Sequence, residues 1–117
     1  MMTPMMNSEN IVTEFTDKVL SRHNEDIIKI ILFGSRARGV FRPDSDYDIL
    51  IVLRKANREI TDDIYDLVTD FMLDYGVDIS LKIYREEKYQ SMAAVSTPFF
   101  RSVMKTGREL WNNKHVS

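Results

Sequence analysis

Gly34-Ser35-Arg36-Ala37-Arg38-Gly39, followed after a short loop by Asp46-Tyr47-Asp48-Ile49, is the stretch whose reading decides the fold. The Ile-rich run from Ile27 to Phe33 precedes it and suits a buried strand. Gly34-Ser35 then forces a turn, and 35–39 reads as a brief helical turn closed by Gly39. The loop holding Arg42-Pro43-Asp44-Ser45 leads into a second strand, expected over 46–53. On a strand, side chains two apart share a face, with about 6.5 Å between them along the backbone. Asp46 and Asp48 therefore project together, while Tyr47, Ile49, Ile51 and Leu53 point the other way. Leu50 and Val52 make the aspartate face apolar further along, so the carboxylates sit at one end of the strand, where a cleft can open.

Working outward, Ile11, Val12, Phe15, Val19 and Leu20 follow helical spacing, and a first helix is expected over 8–23 with Ser8 as its cap. Thr61 is expected to cap a second helix with Asp62 and Asp63 in its first turn. Its buried stripe would be Ile64, Leu67, Val68, Phe71 and Met72. Gly76 ends that segment, and 77–84 alternates as a third strand. Val77, Ile79, Leu81 and Ile83 would face the core, leaving Asp78 with Ser80 and Lys82 on the other side. A polar helix is expected over 85–90. Thr97-Pro98 opens a last helix carrying Phe99, Phe100, Val103 and Met104, stopped by Gly107. An edge strand is expected over 109–111. The order points to an α/β fold, a small mixed sheet with helices packed on it; periodicity does not give the strand directions.

The totals narrow the chemistry. A length of 117 residues, with 44% hydrophobic, fits one domain spanning 1–117, with 1–7 expected as a flexible tail. Sixteen Lys+Arg against 18 Asp+Glu give a net charge of −2, unlike a protein that coats nucleic acid. Stable nucleic-acid binding is therefore not expected. There is no cysteine, and His23 and His115 lie far apart, so a metal would be held by oxygen, which points to Mg²⁺ or Mn²⁺. The methionine-rich start is neither a signal peptide nor a membrane span, and a cytoplasmic protein is expected.

Taken singly, an Asp-x-Asp at a strand start is ordinary turn chemistry, and Gly-Ser after a strand is an ordinary turn. Together, in this order and on these elements, they point to a phosphate site. Glycine lets the backbone approach a phosphate, the amides opening the helical turn and the Ser35 hydroxyl donate to it, and Arg36 and Arg38 add positive charge. Asp46 and Asp48 can lean onto shared cations, and two metals about 4 Å apart can clamp the oxygens of a phosphoryl displacement. If the third strand neighbours the second, Asp78 joins them, and three crowded carboxylates call for a divalent ion.

Gly34-Ser35, then Asp46-x-Asp48, with Asp78 on a later strand, resembles the signature of the DNA polymerase β-type nucleotidyltransferases. Among these the chain looks most like the minimal MNT-type antitoxins encoded beside HEPN toxins; Ser-Thr-Pro-Phe-Phe-Arg at 96–101 and Gly-Arg-Glu-Leu at 107–110 resemble their closing helix and strand. The resemblance implies a polymerase β-like palm, with Asp46 and Asp48 holding two Mg²⁺ ions. Asp78 would complete the catalytic metal site and help deprotonate the acceptor. Gly34 and Ser35 would hold the triphosphate of ATP or another NTP. It also implies AMP transfer to a tyrosine of a HEPN toxin partner. Two other readings remain open at this level: a binding module that neutralises a toxin by covering it, and a transferase acting on a small molecule or an RNA end.

Overall fold

The apolar run Ile27–Phe33 forms β1 and the run Tyr47–Leu53 forms β2, paired antiparallel with Phe33 opposite Asp48 and Ile31 opposite Leu50. The structure, a computed structural model, describes residues 8–37 and 46–113. Around this hairpin-like pair stand α1 (Ser8–His23), a 3₁₀ turn (Asn24–Asp26), α2 (Arg58–Tyr75), β3 (Ile79–Arg85), α3 (Glu86–Val95), α4 (Pro98–Thr106) and β4 (Arg108–Asn112). The sheet order is β3-β2-β1-β4, with β3 parallel to β2 and β4 antiparallel to β1. The sheet is therefore mixed, and α2 supplies the crossover that a parallel pair requires. The expected tail at 1–7, the close of the helical turn at 38–39 and His115 lie outside the described residues.

Both faces of β1 and β2 are covered. Ile30 and Leu32 of β1, with Tyr47, Ile49, Ile51 and Leu53 of β2, pack against Phe15 and Val19 of α1 and Ile64, Leu67 and Phe71 of α2. Phe15 meets Phe71 edge-on at 5.4 Å between ring centroids, a favoured aromatic geometry. Ile31, Phe33, Leu50 and Val52 make a smaller cluster on the other face with Val103 of α4, flanked by Tyr84, Tyr89 and Phe99. Trp111 of β4 is half-buried against the larger cluster.

Two expectations need correction. Asn57, not Thr61, caps α2: its Oδ1 accepts the Ile60 N–H at 3.1 Å, so the helix starts at Arg58. Asparagine is among the strongest caps, and Ile60, which is buried, begins the apolar stripe one turn earlier than expected. Met72, assigned to that stripe, is 41% exposed, because the sheet receives α2 along Ile60, Ile64, Leu67 and Phe71. His23 has a structural place. It is half-buried at the end of α1, where its Nε2 lies 2.6 Å from Asp63 Oδ2 while Arg22 Nη1 donates to Oδ1 at 2.9 Å. These contacts pin α1 to α2. Elsewhere α3 runs on to Val95, past the expected 85–90, and β3 starts at Ile79, two residues later than expected. Gly76 closes α2 as expected, in the left-handed region at φ 66°.

Two stability outcomes follow from this packing. Leu50 is wholly buried between β1 and α4, so Leu50→Ala should cost about 2–5 kcal/mol in urea unfolding. The His23 hydrogen bond, helped by Arg22, holds the Asp63 carboxyl below its ordinary value against the opposing effect of burial. A carboxyl lowered in the folded state contributes stability above its unfolded pKa and loses it as pH falls through the folded one. Asp63→Asn should therefore lower stability by about 1 kcal/mol or less at pH 7, the range of part-exposed ion pairs. The gap from wild type should shrink on acidification below about pH 4.

Candidate active site

β1 delivers Gly34 to the start of β2. Gly34 takes φ +78°, and a Cβ built there would overlap Asp48 Oδ2 and lie 3.3 Å from Asp48 Cγ. Glycine is thus required twice, once by the backbone and once by the carboxylate packed against it. The Gly34 N–H donates to Thr106 Oγ1 at 3.0 Å, and that hydroxyl donates to Ser102 O at 2.9 Å within α4. Residues 35–37 form a half-buried turn.

Asp48 is half-buried inside β2, in register with Ser80 of β3. Burial raises its carboxyl above the ordinary value, and repulsion from Asp46 adds to that. Lys82 and a hydrogen bond from Ser80 act in the opposite sense. Asp46 is exposed just ahead of the strand. Asp78 is also exposed, and its carbonyl accepts the Tyr47 N–H at 2.9 Å, carrying the parallel ladder one residue beyond β3. Continuing that register by one more residue sets Asp46 beside Asp78 along the backbone. Among the described residues, however, no three His, Asp or Glu side chains stand close enough together to hold a metal. Asp46 lies near enough to Asp48 for its charge to act on that carboxyl, and Asp78 meets the pair along the backbone register.

The two arginines fare differently from each other. The Arg36 guanidinium lies 4.4 Å from the Tyr47 ring centroid, a cation–π contact. Tyr47 is buried with the α1–α2 cluster, so this contact is with a residue of the face opposite Asp48. Arg38 lies outside the described residues. Ser80 and Lys82 were legible as companions of Asp78 on one strand face, but their effect on Asp48 needed the parallel pairing. Thr106 gave no local signal, since it lies 72 positions from Gly34.

Two carboxylates at the mouth of a strand are a donor set that suits Mg²⁺ or Mn²⁺. Mg²⁺ is commonly held by one or two carboxylates together with substrate phosphates and waters. A separate cleft of about 460 Å³, lined by Leu53, Asn57, Tyr84 and Arg85, opens at the far end of β2 and β3. From Asp48 to Leu53 the strand covers roughly 17 Å, so that cleft is not part of this site.

Residues 12–100 match the family described as "Nucleotidyltransferase domain". A relative from Methanocaldococcus jannaschii, named "Putative protein adenylyltransferase", is 39% identical over 106 residues, covering 91% of this chain and 100% of its own. The chain belongs to the nucleotidyltransferase domain family. Solved structures share the fold. One, described as a toxin–antitoxin with AMP-PNP, superposes with a TM-score of 0.57 at 18% identity, over 88% of this chain and 75% of its own. Another, a tri-AMPylated Shewanella oneidensis HEPN toxin in complex with MNT antitoxin, gives 0.50 at 14% identity, over 88% and 71%.

The contact between Gly34 and Asp48 can be measured. Gly34→Ala should destabilise the protein by more than about 1 kcal/mol, the usual cost of a β-carbon at positive φ. In a double-mutant cycle by urea unfolding, adding Asp48→Ala should recover part of that loss, because the overlapping carboxylate is gone. Strict additivity would mean that the backbone angle alone accounts for the cost.

Proposed function

We propose that this protein is a metal-dependent protein adenylyltransferase that moves AMP from ATP onto a tyrosine hydroxyl of a HEPN-type toxin, and so acts as an antitoxin. The observation that carries the reading is the end-to-end likeness to a protein named as an adenylyltransferase, together with Asp48 packed against Gly34 at the strand mouth. The neighbours described as an AMP-PNP complex and as an AMPylated HEPN toxin with its antitoxin support the choice of nucleotide and partner. A cytoplasmic setting belongs to the same reading. Among the described residues no helix is long and apolar enough to cross a membrane.

In this mechanism Asp46 and Asp48 hold Mg²⁺ or Mn²⁺, the divalent ions that such transferases generally use. Held there, such an ion would supply charge neutralisation for the departing pyrophosphate. The chain's own groups do the rest. Ser35, next in the chain to Gly34, offers its amide and hydroxyl to the triphosphate. Asp78, exposed at the entry to β3, receives the proton of the acceptor hydroxyl. The acceptor oxygen bonds to the α-phosphorus, the bond from that phosphorus to the bridging oxygen breaks, and pyrophosphate leaves. Ser80 and Lys82 act on Asp48 by favouring its ionised form against the cost of burial.

The test is transfer of label from α-³²P-ATP with Mg²⁺ to a HEPN-type protein encoded beside this one, using wild type and the Asp46→Asn/Asp48→Asn pair. Label should appear on the partner with wild type and fall by at least about 100-fold in the variant, as expected when groups that stabilise transition-state charge are removed. A tight complex with no label from any NTP would replace this reading with a binding module. Label on RNA or a small molecule alone would move the acceptor.

A further inference from the structure

The loop that approaches the phosphates is tied to the far end of the chain. The Gly34 N–H donates to Thr106 Oγ1 at 3.0 Å, and the Thr106 hydroxyl gives its single hydrogen to Ser102 O at 2.9 Å. With that hydrogen engaged inside α4, only lone pairs of Oγ1 face Gly34, so the direction of the contact is fixed. The helix is itself anchored: Val103 is wholly buried among Ile31, Phe33, Leu50 and Val52. Gly34 is therefore held from three sides, by its positive φ, by the Asp48 carboxylate against its α-carbon and by Thr106 on its amide.

We propose that Thr106 is a positioning residue for the triphosphate, setting the distance between the Ser35 donors and Asp48. This rests on the reading that Ser35 contacts the phosphates. With its amide hydrogen engaged by Thr106, Gly34 is a spacer in the phosphate loop, and the donors to the triphosphate begin at Ser35. Losing the Thr106 hydroxyl frees the Gly34 amide to turn, and the peptide that carries Ser35 turns with it. The defect should fall on the β- and γ-phosphates and spare the adenosine end of the nucleotide.

Titration calorimetry with MgATP, pyrophosphate and AMP separates the possibilities, using wild type, Thr106→Val, Thr106→Ala and Thr106→Ser well below their unfolding midpoints. Thr106→Val should weaken ATP and pyrophosphate binding by about 3- to 10-fold, the range of one hydrogen bond. AMP binding should stay within about 2-fold, too small a change for one lost hydrogen bond, and Thr106→Ser should restore wild-type affinity. Thr106→Ala removes the same hydroxyl without adding bulk and carries the same expectation, so a folding defect confined to the valine variant leaves the test intact. Unchanged pyrophosphate affinity beside a lowered melting temperature overturns the proposal and makes Thr106 purely structural. Equal weakening for all three ligands overturns it as well. If ATP binding shows the expected pattern but no label is transferred, the positioning role stands and the catalytic reading fails. A wild type that binds neither ATP nor pyrophosphate overturns both.

Discussion

The antiparallel register of β1 on β2 is the constraint on which the site depends. It sets Phe33 opposite Asp48, so that Gly34 arrives beside the carboxylate rather than past it. From Ile49 to Leu53 the second strand is apolar on both faces, and in the middle of the sheet a slip of one residue would cost little in hydrophobic pattern. At the end of the strand it would cost a great deal. Each side chain would change faces, and Asp48 would enter the position of Tyr47, among the buried residues under α1 and α2. An unpaired carboxylate there carries a desolvation penalty of several kcal/mol. The carboxylate proposed for the chemistry thus also helps to hold the strands in register.

The two faces of the sheet are built unequally, and this shapes the environment of Asp48. The α1–α2 face is deep, with Phe15, Val19, Ile64 and Phe71 all buried. The opposite face is covered by the short helices α3 and α4 and by half-buried Tyr84, Tyr89 and Phe99. Asp48 belongs to the shallower side. It is covered enough for burial to raise its carboxyl, yet stays in reach of Ser80, Lys82 and Asp46.

Much of this was readable from residues alone, and the limits were physical. The strand at 27–33 and the helix at 8–23 were clear because a short Ile-rich run and a helical apolar spacing are local signals. The shared face of Asp46 and Asp48 follows from the two-residue repeat of any strand. The start of α2 is not decided by the sequence, because Asn57 and Thr61 are both acceptable caps and only the packing of Ile60 decides between them. Met72 fits the helical period, but how wide a stripe the sheet accepts is a tertiary matter. Strand directions and the stacking of Arg36 on Tyr47 depend on neighbours distant in the chain. So does the bond from Thr106 to Gly34, and no spacing rule reaches that far.

The close packing of Gly34 on Asp48 binds the history of one position to that of the other. While the carboxylate is present, a β-carbon at 34 collides with it, so position 34 is not free to change before Asp48 does. A descendant that lost Asp48 would relieve the steric half of that restriction and leave the backbone angle in force. Asparagine and aspartate, which tolerate left-handed conformations better than other side chains, would be the first residues to invade position 34.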